Sequence, residues 1–203
     1  MKKSILENIF NKNVSTKLKI GFGIITVLTL ILGIVSVSSF LEMSKLTEKM
    51  YKHPFTVSNA VRDINSNIIA MHRSMKDVAL SQNKKELDIA ILKVDALEKK
   101  VIQSFNIVFE RFLGDQSDVR NKYEMFIKWK VIRDEVISLV KEGRKKYAAE
   151  ITKQKGATYV ENLTNNMNLL ILYANNKAET FFNNAQKEKK QAIYILIILL
   201  ISI

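Results

Sequence analysis

The chain has no cysteine, one proline and only six glycines among 203 residues. Without cysteine there are no disulfides, thiolate metal ligands, iron–sulfur sites or cysteine nucleophiles. So little proline and glycine removes the turn chemistry that an all-β or α/β fold needs at every connection. The sequence also lacks a Gly-rich phosphate loop, a serine elbow, a metalloprotease helix and paired buried carboxylates, so neither catalysis nor a cofactor is expected. No helix offers a histidine or carboxylate pair backed by further ligands, and no metal site is expected either.

What remains is rich in Leu, Ile, Lys, Glu, Asn and Ala, a composition of long helices with few connections. Acidic residues are in short supply: 20 against 32 Lys and Arg, a formal net charge of +12. Such an excess suits nucleic acid, anionic lipid or an acidic ligand. The basic residues are spread along the whole chain instead of forming one stripe with interleaved aromatics, which argues against nucleic acid.

Ionisable residues are absent from Ile20 to Leu41, and the apolar side chains there lie all round the helix. At ~1.5 Å per residue this run crosses a hydrocarbon core of roughly 30 Å. It exceeds the apolar stretch of about 7–15 residues in a cleaved signal peptide, and the helical pattern continues beyond it, so an uncleaved anchor is expected. Lys2, Lys3, Lys12, Lys17 and Lys19 precede it against the single acid Glu7, which places the N-terminus in the cytoplasm. A second apolar run begins at Gln191 and continues to Ile203, too short to span and read as a membrane helix cut short. Lys187, Lys189 and Lys190 sit before it on the outer side, a mild conflict with the charge rule that long translocated domains largely escape. The expected organisation is a cytoplasmic segment 1–19, a membrane helix 20–41, an extracytoplasmic domain 42–190 and the start of a second membrane helix 191–203.

Between the two runs, apolar residues recur at alternating steps of three and four, one stripe of a helix. The first seam is Val57, Val61, Ile64, Ile68, Met71, Met75 and Val78, and it breaks at Ser81, Gln82 and Asn83. The second runs from Leu87 through Ala90, Val94, Leu97, Val101, Phe105 and Val108 to Phe112, closed by Gly114 and Asp115. The third reads from Ser117 through Met125, Trp129, Ile132, Val136 and Leu139 to Tyr147, with Gly143 inside it and residues 153–156 as its terminator. The fourth carries Val160, Leu163, Met167, Leu170, Ala174, Ala178, Phe181 and Ala185 and runs on to Gln191 without a breaker. Short turns between four such helices predict an all-α, antiparallel up-down-up-down four-helix bundle flanked by the two membrane helices. Pro54 predicts a kink or restart, with His53 biased away from helical geometry.

The stretch 53–64, His-Pro-Phe-Thr-Val-Ser-Asn-Ala-Val-Arg-Asp-Ile, followed by Met-His-Arg-Ser-Met-Lys-Asp-Val at 71–78, resembles the first helix of the four-helix-bundle ligand-sensing domains of methyl-accepting chemotaxis receptors, the HlyB-like group. His53, Pro54, Asn59 and Asp77 belong to that motif. Similar domains serve as sensors of histidine kinases and diguanylate cyclases, which stand as alternatives, as does a non-signalling envelope stalk. The resemblance implies a receptor in the bacterial inner membrane that dimerises along its first helices. It further implies a small ligand, or a periplasmic binding protein, bound near that interface, and a last helix that moves relative to the membrane. A HAMP linker and an output module would normally follow, and neither lies within these 203 residues.

Arg62 and Arg73 are eleven residues apart, close to three helical turns, and so share an azimuth, with Lys76 nearly on it. They are candidates to hold a carboxylate or phosphate, or else they are solvated charges with Asp63 and Asp77 as local partners. His72 flanks the core stripe, where it is either a boundary histidine or a group responding to pH near neutrality. Trp129, Tyr123 and Phe126 read as core or as the wall of an inter-helix pocket.

Overall fold

The computed structural model describes residues 13–202, which are 94% helical with no strand. Residues 1–12 of the expected cytoplasmic segment, and Ile203 at the end of the second apolar run, lie outside the described residues. Helix α1 spans Val14–Met50, a π-helical turn spans Tyr51–Phe55, and α2 spans Thr56–Leu80. Then come α3 (Lys84–Arg111), α4 (Gln116–Lys141), the short α5 (Lys145–Ile151), a second π-helical turn (Thr152–Gly156) and α6 (Ala157–Ser202).

The described residues fall into two units: residues Lys49–Thr180, and residues 13–48 together with 181–202. In the first, α2, α3, α4 and the fourth helix formed by α5, its π turn and α6 pack as a four-helix bundle. Cross-helix contacts show the antiparallel sense. His53 reaches the carbonyl of Arg111 at 3.1 Å, Glu98 reaches Arg133, and Asn65 reaches Asn168 at 2.9 Å. The phenol of Tyr159 donates to the carbonyl of Met125 at 2.8 Å.

Every residue of the first predicted seam is at most 2% exposed. Burying a side chain of this size contributes about 1.5–3 kcal/mol, so this stripe is what holds α2 against its three neighbours. The second seam is buried at Leu87, Ala90, Val94, Val101, Phe105, Val108 and Phe112, and Leu97 packs against it from the edge. An aromatic cluster of Phe105, Phe109, Tyr123 and Phe126 joins α3 to α4, with ring centroids 5.1–6.5 Å apart.

The third helix ends earlier than its apolar pattern predicts. It stops at Lys141, and Gly143 adopts a left-handed φ of +79°. The Arg144 N–H donates to Leu139 O at 2.8 Å and the Gly143 N–H to Val140 O at 3.0 Å, the paired bonds of a glycine C-terminal stop. Gly143 is therefore the terminator. Residues 153–156 are not: they continue the fourth helix through a π-helical turn. Tyr147 belongs to that fourth helix and is 56% exposed, outside the third seam.

At Pro54 the helix neither restarts nor leaves helical geometry at His53. It widens instead. In an α-turn the proline ring would clash with the carbonyl four residues back and leave it without a donor. The π turn removes the clash, and the Thr56 hydroxyl donates to Tyr51 O at 3.0 Å.

Among the described residues of the second unit none is buried. No residue of α1 is buried, and Phe22, Ile24, Val27, Leu30, Ile34 and Val37 are exposed. The continuous helix Val14–Leu80 contains a stretch long and apolar enough to cross a membrane. Two of its hydroxyls bond within the helix: Thr26 donates to Phe22 O and Thr29 to Ile25 O, each at 2.8 Å.

Candidate functional site

Arg62, Arg73 and Lys76 all lie exposed on the outer face of α2, opposite the seam, and Asn59 and Asp77 are exposed beside them. The Arg62 guanidinium donates to the Asn59 side-chain oxygen at 3.4 Å. Arg62 and Arg73 lie roughly 16 Å apart along the axis at ~1.5 Å per residue, too far for one α2 to close both on a single carboxylate. Arg73 and Lys76, one turn apart, form a tighter cationic pair. Ile69, midway between the arginines on the same face, is 50% exposed.

His53 and Pro54 are placed differently. Pro54 is buried, and His53 Nδ1 lies 3.1 Å from Arg111 O, so these motif residues join the π turn to the end of α3. With Phe112, Tyr173 and Ala174 they line a small apolar cavity. Gly114 closes this end, since a Cβ there would sit 2.6 Å from Phe112 Cε1 and 2.9 Å from Tyr173 Cζ.

His72 turns inward. It is half-buried and borders a second small cavity with Met75, Trp129, Arg133, Thr152 and Gly156. A Cβ on Gly156 would lie 3.5 Å from His72 Cε1, so the π turn presents a glycine where the imidazole packs. Burial, and after it the Lys76 ammonium, lower the His72 pKa from its ordinary value.

Next to His72 is a feature that the sequence pattern had passed over. Arg133 is 3% exposed, pairs with Glu98 of α3 at 2.6 Å, and stacks its guanidinium 5.1 Å from the Trp129 ring and 5.9 Å from Phe126. Its Nε is buried without a hydrogen-bond partner. The signal was available: Phe126, Trp129, Arg133, Val136 and Val140 continue the three-and-four spacing from Val119 and Lys122, so Arg133 occupies a seam position. Phe126 is core, at 0% exposed, and Trp129, at 1%, is both core and cavity wall.

At the end of the bundle that carries the turns 81–83 and 142–144, an open cleft of about 560 Å³ is bordered by Lys84, Asp88, Lys141 and Lys145. Among the described residues, no group of three or more His, Asp or Glu is placed to hold a metal ion.

No curated protein and no solved structure matches the chain. Compared with protein families, residues 11–188 match the four helix bundle sensory module for signal transduction. Taken with the antiparallel bundle that its seams build, this match over most of the chain shows that the protein belongs to the family of four helix bundle sensory modules for signal transduction.

Proposed function

We propose that the chain is the sensing region of a chemoreceptor-like transmembrane receptor of the bacterial inner membrane, with the bundle outside the cell and the N-terminus in the cytoplasm. The observation that carries this reading is helix continuity. The helix with the membrane-length apolar stretch passes through a π turn into α2, and α6 runs from the bundle core to Ser202 without interruption. A packing change in the bundle therefore reaches both apolar runs through helices, with no loop to absorb it.

The ligand of this reading is a small anion, held by Arg73 and Lys76 with Arg62 as a second locus. The outer face of one helix is convex and supplies no walls, so the site is completed by a second copy pairing α2 against α2. Ligand binding favours one of two packings by its difference in affinity for them, and a tenfold response corresponds to about 1.4 kcal/mol of coupling. A periplasmic binding protein docking on the same face is the other occupant.

Because the chain has no cysteine, single cysteines test the topology directly. In intact cells, a membrane-impermeant maleimide should label Asn83→Cys and spare Lys17→Cys; the reverse pattern overturns the orientation. In nanodiscs, calorimetric titration with amino acids and organic acids should find a ligand whose affinity falls at least tenfold in Arg73→Ala. Unchanged affinity for that ligand removes Arg73 from the site.

A further inference from the structure

The cluster around His72 has features that anion binding on the outer face of α2 does not use. A half-buried imidazole and a buried arginine border one small cavity, to which a π-helical turn of the fourth helix contributes Thr152 and Gly156. Single π-helical turns inside α-helices recur at functional sites. Among the described residues the His72 ring has no hydrogen-bond partner.

We propose that the bundle is also a proton sensor, in which protonation of His72 opens the contact between α2 and the π-helical turn Thr152–Gly156. The charges that meet the ring decide the sign. From its own helix comes Lys76, one turn on. From α4 comes Arg133, at the rim of the same cavity. From α3 comes the Glu98 carboxylate, already bound to Arg133 at 2.6 Å. The fourth helix offers the uncharged Thr152 and Gly156; Lys155 is engaged with Glu135 at 2.9 Å, and Lys153 is exposed. An imidazolium here faces two cations and one committed carboxylate, against a glycine that has no side chain with which to accept its proton. Neutral His72 packs; charged His72 is repelled.

Proton access does not require unfolding, since the ring is only half-buried. The π turn leads directly into α6, so loosening it acts on the same helix that the ligand reading uses, and Lys76 belongs to both, as a member of the cationic pair and as the charge one turn from His72. The linkage follows from the lowered pKa. The folded state binds the His72 proton less readily than the unfolded chain, whose histidine titrates near 6.5. Stability from neutral packing is thus fully present above about pH 6.5 and is lost as pH falls through that value towards the lower folded pKa.

Trp129 reports the event, because it is the single tryptophan and lines the cavity. The full chain in nanodiscs is titrated from about pH 8 to about pH 5 while tryptophan emission is followed, alongside the Cε1–H resonances of the two histidines. The expected result is a red shift with a midpoint below 6.5 that coincides with titration of His72, persists in His53→Gln and vanishes in His72→Gln. A transition that survives His72→Gln overturns the proposal, and so does a His72 resonance that titrates while the emission stays constant. The NMR titration of the native chain decides the matter even if His72→Gln fails to fold.

Discussion

Arg133 shows what a single residue can demand of a helical core. A guanidinium at 3% exposure is tolerated in the core because Glu98 meets it at 2.6 Å and two aromatic faces replace part of its hydration. Removing one partner leaves the other charge buried and unpaired, at a cost of about 3–5 kcal/mol. Glu98→Ala should therefore destabilise the bundle strongly in urea unfolding followed by circular dichroism, while the double change Glu98→Leu with Arg133→Met should recover most of the loss. If the double variant is no more stable than Glu98→Ala, the pair is held by something other than mutual compensation. The residues chosen from sequence divide along physical lines. Arg62, Arg73 and Lys76 were legible as one face because helical azimuth depends only on spacing. The surroundings of His72 were not, because its neighbours come from residues some sixty to eighty positions away.

At the scale of elements, the turns are specified by short-range chemistry. Asn83 accepts from the Glu86 N–H at 3.0 Å, and the Glu86 carboxylate reaches back to the Gln82 N–H at 2.8 Å, a reciprocal cap on the start of α3. Asn83→Ala should cost about 1 kcal/mol and lower the melting temperature of the chain by a few degrees; an unchanged melting temperature would show that packing, not the cap, sets the start of α3. Gly143 carries equally local information. The paired C-terminal bonds and positive φ that it adopts are what a glycine just past the end of a helix commonly builds. Reading it as a weak interior position let the apolar pattern run past the true stop as far as Tyr147. Pro54 is the opposite case. Proline announces a disturbed helix, but whether the chain kinks, restarts or widens depends on what can take up the freed carbonyls. Here Thr56 takes up one of them.

For the whole molecule, the proposed receptor needs two copies, and α2 supplies the face. Ile69 is 50% exposed between Arg62 and Arg73, an apolar position in the middle of the cationic stripe. In a parallel α2 pair it lies at the two-fold axis. Ile69→Cys should cross-link two chains under mild oxidation, whereas Asp95→Cys on the exposed face of α3 should not. Equal cross-linking at both positions, or none at 69, argues for a different interface.

The sequence by itself determined that the protein is helical, where its four seams lie, and that a stretch within 20–41 is apolar enough to cross a membrane. Each of these depends on periodicity or composition within one segment, which is legible without knowing what packs against it. Only the tertiary structure decided that Glu98 and Arg133 neutralise each other, that a π turn stands where a terminator was expected, and that His72 faces this turn across a cavity. Those outcomes rest on the register between helices. That register is set when four side-chain surfaces interlock at once, and no single stripe contains it.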